Sequence, residues 1–238
     1  AQTLQRVEDL YKPFKKSRAT RASKAREAGL TPLAELLLAQ KPSPCDPLTE
    51  AARFAKPDTA YADAQAALQG ACDIVAEMVA DDPDATEELR GFVQRTGQLT
   101  ARAASEDAER DFASYVDFSE SLARVPSHRI LALNRGEAEG KLRVSVSVDG
   151  EEALDRLERR FVRGQSPWRE ALEGAIADSW KRLMAPSLER EARSLATERA
   201  QKDAIGVFAK NAEALLKQCP VKDARIIALD PGYRTGCK

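Results

Sequence analysis

Apolar residues recur at spacings of three and four along most of this 238-residue chain, which is the period of a helix that buries one face. Leu68, Cys72, Val75 and Val79 show this spacing within one segment. After Pro186 a longer series comprises Leu188, Ala192, Leu195, Ile205, Phe208, Ala212 and Leu215. Its gap between 195 and 205 indicates a helix that is exposed there or crosses between two packing surfaces. The sequence therefore predicts a mainly α fold, with many helices packed into one elongated scaffold.

One segment has a different period. Leu142, Val144, Val146 and Val148 alternate with polar residues, which is the pattern of a half-buried strand. We therefore expect a small β element at 141–148. A lone strand is not stable, so it needs a partner, and we favour residues 98–103 over residues 226–229.

Capping residues and glycines set the predicted helix limits. Gly29 ends one helix and Thr31 caps the next. Asp82 caps another helix, which Gly97 ends. A further helix is predicted from about Ser105 to Phe118.

Residues 11 to 26 are the most basic stretch, with seven Lys/Arg and no Asp or Glu. Cations at this density can neutralise phosphates, and each contact gains affinity by releasing counterions. The predicted nucleic-acid-binding residues are Lys12, Lys15, Lys16, Arg18, Arg21, Lys24 and Arg26. The alternative is a solvated loop and helix face in which the two aromatic residues of the stretch, Tyr11 and Phe14, are anchored in the core.

Cysteine and histidine usage argues against a structural zinc site and predicts no cofactor. The four cysteines are far apart in sequence, and His128 is the single histidine. So few cysteines suit a reduced cytosolic protein, and no apolar run approaches the roughly 18 residues of a membrane span. His128 and Arg129 near a helix start could bind an anion, but such a histidine is more often a packed or capping residue.

The carboxyl-terminal stretch “IIALDPG” combines a short apolar run, Ile226 to Leu229, with an acid and a turn. Such a run is typical of a central strand. An aspartate at its end, Asp230, could ligate magnesium or manganese. One carboxylate does not make a metal site, and Asp-Pro-Gly is also an ordinary turn.

Four separated stretches of the chain have counterparts, in the same order, in one protein family. They are “VEDLYKPFKKSRATRASKAREAGLTPLAELLL”, “DFASYVDFSESLARVPSHRILALNRGEAEGKLRVSVSV”, “DSWKRLMAPSLEREARSLATERAQKDAIGVFAKNAEALL” and “LDPGYRTGCK”. Together they resemble the Tex family of bacterial transcription accessory proteins. The resemblance covers essentially the whole chain, although the linker around 41–60 and the acidic stretch around 77–88 contribute little.

The resemblance implies a larger cytoplasmic protein that binds nucleic acid, RNA or DNA, and acts with the transcription machinery. Its modules would be an amino-terminal helical region with helix-turn-helix character, a central helical scaffold, a YqgF or RNase-H-like domain, helix-hairpin-helix elements and an OB-fold RNA-binding domain. Residues 1–125 would belong to the first module and 126–224 to the second. Residues 225–238 would be the first strand and turn of a truncated RNase-H-like α/β domain, with Asp230 at the position of a metal ligand.

The expected function is therefore that of a nucleic-acid-binding transcription accessory factor, in which this chain is a helical scaffold and contacts phosphates. We expect no enzyme activity from the chain by itself, because the other acidic positions of an RNase-H-like site would lie beyond Lys238. Two alternatives remain. One is a protein–protein interaction scaffold for the transcription machinery, and the other is a metal-dependent nuclease of the RNase-H-like type in the full-length protein.

Overall fold

The computed structural model describes residues 4–14, 19–41, 46–219, 222–223, 225–229, 231–232 and 236–237. The first part of the chain is helical, as its periodicity predicts. Its helices are α1 (Leu4–Tyr11), α2 (Arg21–Glu27), α3 (Thr31–Ala39), α4 (Pro47–Ala52), α5 (Ala64–Ala80) and α6 (Pro83–Thr96), with a 3₁₀ turn, Lys12–Phe14, directly after α1.

Helix α5 is the centre of this part, and α2, α3 and α4 all pack against it. Its predicted buried face is confirmed, since Val75 and Val79 are fully buried and Leu68 and Cys72 pack on the same core. The predicted cap Asp82 accepts a hydrogen bond from the Ala85 amide and begins α6. Thr31 is not a cap, because α3 begins at Thr31 itself and no side chain caps it.

Three strands form one antiparallel sheet in the order β2 (Asp117–Ser121), β1 (Gln98–Ala103) and β3 (Leu142–Ser147). The predicted strand at 141–148 and its predicted partner at 98–103 are both confirmed, with Ala101 opposite Val144. The predicted helix over 105–118 is wrong. That segment contains only α7 (Ala108–Asp111) and a 3₁₀ turn (Ala113–Tyr115) before β2, which is held by long-range pairing with β1.

The remaining helices are α8 (Ser127–Ala138), α9 (Gly150–Phe161), α10 (Arg169–Asp178) and α11 (Ala185–Leu216). A π-helical segment, Ser179–Met184, joins α10 to α11, so the helical path continues where Pro186 predicts a new start. One hydrophobic core runs through residues from Ala22 to Ala200. None of the helices in the described ranges is long and apolar enough to cross a membrane.

Side chains of α11 close the outer edge of β3. The Val146 amide donates to Glu189 Oε1 at 3.0 Å, and Arg193 Nη1 donates to the Val144 carbonyl oxygen at 2.9 Å. These bonds satisfy backbone groups that would otherwise be open for pairing with another strand. The sheet contains strands from both sides of residue 125, so it belongs to both of the first two predicted regions.

The carboxyl-terminal residues differ from the prediction. Residues 225–229 form no strand, and Ile226, Ile227 and Leu229 are exposed. The only pairing near them in the described residues is a two-residue hairpin of β4 (Pro231–Gly232) and β5 (Gly236–Cys237). An apolar run forms a strand only where an edge accepts it, and α11 covers the edge of β3. Asp230 lies outside the described residues, so its predicted metal role stays a prediction.

Candidate nucleic-acid interface

Charged side chains of helix α1 attach the basic segment, residues 11–26, to the rest of the protein. Arg6 donates to the Pro83 carbonyl oxygen at 2.7 Å and to Asp84 at 2.5 Å. This contact lowers the pKa of the Asp84 carboxyl. Because residues three apart share a helix face, Asp9 and Lys12 point to the same side as Arg6.

Asp9 and Arg90 form the middle of this attachment. Arg90 Nη2 lies 2.8 Å from Asp9 Oδ2, and Arg90 Nε donates to Glu191 of α11. All three side chains are largely buried, so each charge depends on its partner. The cleft beside them, of about 500 Å³, is also lined by Met184 of the π-helical segment. Its lining contains three acids, Glu8, Asp9 and Glu191, and two cations, Lys12 and Arg90, so it does not indicate an anion site.

Helix α2 carries the second part of the basic segment. Thr20 caps it, since the Thr20 hydroxyl accepts from the Ser23 amide and the Ser23 hydroxyl accepts from the Thr20 amide. Ala22 and Ala25 are buried, and α2 packs on α5. The remaining face of α2 therefore points away from α5.

The structure places the seven predicted cations in three situations. Lys12 donates to the Ala80 carbonyl oxygen and Arg26 pairs with Glu77, so both hold the end of α5. Arg21 and Lys24 are exposed, and no ion pair within the described ranges includes either of them. Lys15, Lys16 and Arg18 lie outside the described residues, and their predicted role stays a prediction.

Tyr11 and Phe14 are exposed, which contradicts the alternative that anchors both rings in the core. Tyr11 is 59% exposed and Phe14 is 78% exposed. The sequence signal for this arrangement is the spacing of charges in α1. Arg6, Asp9 and Lys12 contact the body, whereas Val7, Glu8 and Leu10 between them are exposed. The two aromatic residues therefore belong to the accessible surface of the basic segment.

The expected helix-turn-helix stays a prediction, and the consecutive helices α2 and α3 are the candidates for it. Gly29 adopts a φ of +84° in the turn between them, which glycine accepts at little cost. In proteins that read DNA with this motif, the second helix presents polar side chains to the major groove. The exposed residues of α3 are Pro32, Glu35, Leu36 and Ala39, without a cation. Helix α3 therefore packs against α5, and the exposed cations Arg21 and Lys24 are on α2.

Burial shifts the pKa values of two acids, Asp73 within α5 and Asp81 at its carboxyl end. Burial raises the pKa of Asp73, with Arg182 and Arg21 opposing the rise. Burial also raises the pKa of Asp81, with Lys12 opposing it. Arg21 thus favours the ionised form of Asp73, and Lys12 favours the ionised form of Asp81.

His128 is exposed at the start of α8. Its neighbours are engaged elsewhere, because the Ser127 hydroxyl donates to Asp203 at 2.5 Å and Arg129 pairs with Glu120. Burial raises the pKa of the Cys72 thiol to about 11, so this cysteine is a poor nucleophile. Among the described residues, no three His, Cys, Asp or Glu side chains are grouped to hold a metal ion.

These observations define a mainly helical scaffold with a small antiparallel sheet and with exposed aromatic and basic side chains, Tyr11, Phe14, Arg21 and Lys24, near its amino-terminal end. The family model described as Tex central region-like matches residues 43–208. The chain therefore belongs to the Tex family, of which it represents the central region.

Individual relatives agree with this assignment. The chain is 38% identical over its whole length to Protein tex of Bordetella pertussis, of which it covers 32%. It is 35% identical, over 98% of its length, to the Transcriptional accessory protein Tex of Neisseria gonorrhoeae, of which it covers 31%. It is also 30% identical, over 99% of its length, to the human S1 RNA-binding domain-containing protein 1, of which it covers 25%. The chain thus spans about a third or less of the length of these relatives.

Proposed function

We propose that this chain is the scaffold of a transcription-associated, nucleic-acid-binding protein and that its basic segment, residues 11–26, contacts the phosphate backbone. The observation that carries the proposal is the exposure of Arg21 and Lys24 on α2, within a run of seven cations and no acid. The names of the relatives support it, since one is a transcriptional accessory protein and another contains an S1 RNA-binding domain.

The chemistry of the segment suits backbone contact rather than sequence recognition. Lysine and arginine bind phosphate oxygens whatever the base, and such contacts position a protein without specifying a sequence. Helix α3 contains no lysine or arginine. We therefore expect RNA and DNA of any sequence to bind with similar affinity. We propose no reaction for this chain, and a nuclease role would depend on Asp230 together with residues beyond Lys238.

Salt dependence tests this function. The affinity of the chain for a labelled oligonucleotide, measured by fluorescence anisotropy, should fall steeply with increasing salt. Each phosphate contact adds about 0.7 to 0.9 to the slope of log K against log salt. Replacing both Arg21 and Lys24 by glutamine should reduce that slope, and replacing Lys15, Lys16, Arg18 and Arg21 by alanine should flatten it further. No binding of any oligonucleotide at low salt would refute the proposal.

An interaction scaffold for transcription proteins is the second candidate, favoured by the carboxyl-terminal half of α11. Ile205, Phe208 and Leu215 of that half are all exposed. Apolar contacts persist at high salt, whereas phosphate contacts weaken. The second candidate predicts a complex with a purified transcription protein that survives high salt. The variant with glutamine at positions 21 and 24 should still form this complex.

A further inference from the structure

A groove formed by α4, α5 and α10 is separate from the basic segment and from the exposed half of α11. Helices α4 and α10 both pack on α5, and the groove between them has a volume of about 520 Å³. Ligand-binding clefts in proteins have volumes of about 300–1,000 Å³. The groove is therefore large enough to hold a few side chains of a partner.

Part of the groove lining is apolar. Leu48 of α4 is 41% exposed, whereas Leu68 and Cys72 of α5 and Ala171 of α10 are half-buried against the hydrophobic core. There is open space beside α10, because no atom lies within 4 Å of a Cβ position at Gly174. The groove thus presents apolar surface with room for further side chains.

The charged residues of the lining are all acids, namely Asp46, Glu170 and Asp178. No lysine, arginine or histidine of the described ranges lines the groove, whereas the cleft beside α1 includes two cations. Glu170 is exposed, and no ion pair within the described ranges includes it. Asp178 pairs with Arg182 at 2.5 Å, but Arg182 does not line the groove. The groove therefore carries a negative charge.

The negative charge reaches the apolar part of the lining. Burial raises the pKa of the Cys72 thiol, and the negative charges of Asp73 and Asp178 raise it further. Arg182 and Arg21 act on Asp73, but neither of them lines the groove. A phosphate or carboxylate in the groove would therefore be repelled.

Lysine and arginine side chains match both properties of the groove. They lay their aliphatic stems on apolar surface and keep the charged end beside an acid or in water. A nucleic acid does not match the groove, because its phosphates would face the three acids. A neutral apolar segment would leave those acids without a partner. The chemistry of the lining thus selects a segment that is both basic and apolar.

We propose that this groove binds a basic, amphipathic segment of a partner protein. The apolar side chains of the segment contact Leu48 and Leu68, and its lysine or arginine side chains lie beside Glu170 and Asp178. This inference goes beyond the proposed function, because it adds a second binding face whose charge is opposite to that of the basic segment.

The test measures the binding of a fluorescein-labelled peptide to the full chain by anisotropy. The peptide has about 14 residues, with leucine at spacings of three and four and lysine elsewhere, which is the pattern of a basic helix that binds in a groove. The wild-type chain should bind this peptide. It should not bind a second peptide that has glutamate in place of lysine.

A charge reversal tests the acids of the groove. Glu170→Lys should weaken binding of the lysine peptide about tenfold or more, because it places a cation beside the lysine side chains. Glu109→Lys is the matched control, since Glu109 is also exposed, lies on α7 and does not line the groove. It changes the net charge equally and should bind the peptide as the wild-type chain does.

A second variant fills the groove without changing its charge. Gly174→Leu places a side chain in the open space beside α10 and should abolish peptide binding, while oligonucleotide binding stays unchanged. Gly206→Leu on α11 is the control, because its Cβ position also has no atom within 4 Å. All of the exchanged positions are exposed, so thermal unfolding should show that each variant remains folded.

Four outcomes would overturn the inference. An equal loss in the Glu170 and Glu109 variants would mean that binding follows net charge and not the groove. Unchanged peptide binding in the Gly174 variant would place the peptide elsewhere on the surface. Equal binding of the glutamate peptide would show that the acids select nothing. Binding of spermine but not of the peptide, lost in the Gly174 variant, would make the groove a site for a small organic cation instead.

Discussion

The Lys12 ammonium donates to the Ala80 carbonyl oxygen at 2.8 Å and thereby caps the carboxyl end of α5. The same nitrogen lies 3.4 Å from the Asp81 carboxylate. Carbonyl groups in the last turn of a helix lack partners within the helix, and the helix dipole favours a cation there. A residue predicted to bind phosphate therefore has a structural role at the end of the central helix.

Replacing Lys12 by methionine should lower the free energy of unfolding by about 1 kcal/mol, because the cap is lost while the aliphatic length is kept. Lys24→Met is the matched control, since Lys24 is exposed and unpaired within the described residues. It should change stability by less than about 0.5 kcal/mol but reduce the salt dependence of nucleic-acid binding. Urea denaturation and anisotropy titrations measure the two effects. Equal stability of the two variants would contradict the capping role.

The edge of the sheet gives a second prediction. Glu189→Ala removes the acceptor of the Val146 amide and should cost about 1–2 kcal/mol in the free energy of unfolding. The Val146 amide should also exchange its hydrogen faster. Glu198→Ala is the control, because Glu198 lies exposed on the same helix, and it should leave both measurements near the wild-type values. Unchanged exchange at Val146 in the Glu189 variant would show that the hydrogen bond does not protect the edge.

The pH dependence of the free energy of unfolding should reveal the titration of Asp73, whose side chain is only 10% exposed. Burial raises its pKa above that of the unfolded chain, so the folded state holds the proton more tightly. The contribution of this carboxyl to stability is therefore greatest below the unfolded pKa of about 3.9 and is lost as pH rises through the folded pKa.

Asp73→Asn removes this titration. The free energy of unfolding of the variant, relative to that of the wild-type chain, should increase as pH rises through the folded pKa of Asp73. This is the direction that the raised pKa requires. Urea denaturation at several pH values measures the difference. Glu35→Gln, an exposed change, should show no such trend. A difference that shrinks with rising pH would mean that the contact with Arg182 outweighs the burial.

Local signals predicted much of the fold. Gly29, Asp82 and Gly97 mark helix limits because each acts through its own backbone or its near neighbours. Strand β2 was missed because the segment before it is rich in helix-forming residues and only Phe118 of the strand is buried. Pairing with β1, which is distant in sequence, decides its conformation, and propensity does not include such pairing.

The candidate site was predicted only in part. The charge of residues 11–26 indicated a phosphate contact, but sequence alone could not separate Lys12 and Arg26, which hold α5, from the exposed Arg21 and Lys24. That division depends on which acids and carbonyl groups the fold brings near each cation. The exposure of Tyr11 and Phe14 likewise depends on the contacts of Arg6, Asp9 and Lys12 with residues 80 to 90, far along the chain.

Gly97, between α6 and β1, gives the last prediction. A Cβ atom there would lie 2.5 Å from the Val93 carbonyl oxygen and 3.1 Å from Val146 Cγ1, and the first of these is backbone that cannot move aside cheaply. Gly97→Ala should therefore cost about 1–3 kcal/mol in the free energy of unfolding. Gly174→Ala on α10 is the control, since no atom lies within 4 Å of its Cβ position. It should raise stability by about 0.5–1 kcal/mol because alanine is the better helix former. Thermal and urea unfolding of both variants would show opposite signs, and a stabilised Gly97→Ala variant would mean that Gly97 does not lie so close to Val93 and Val146.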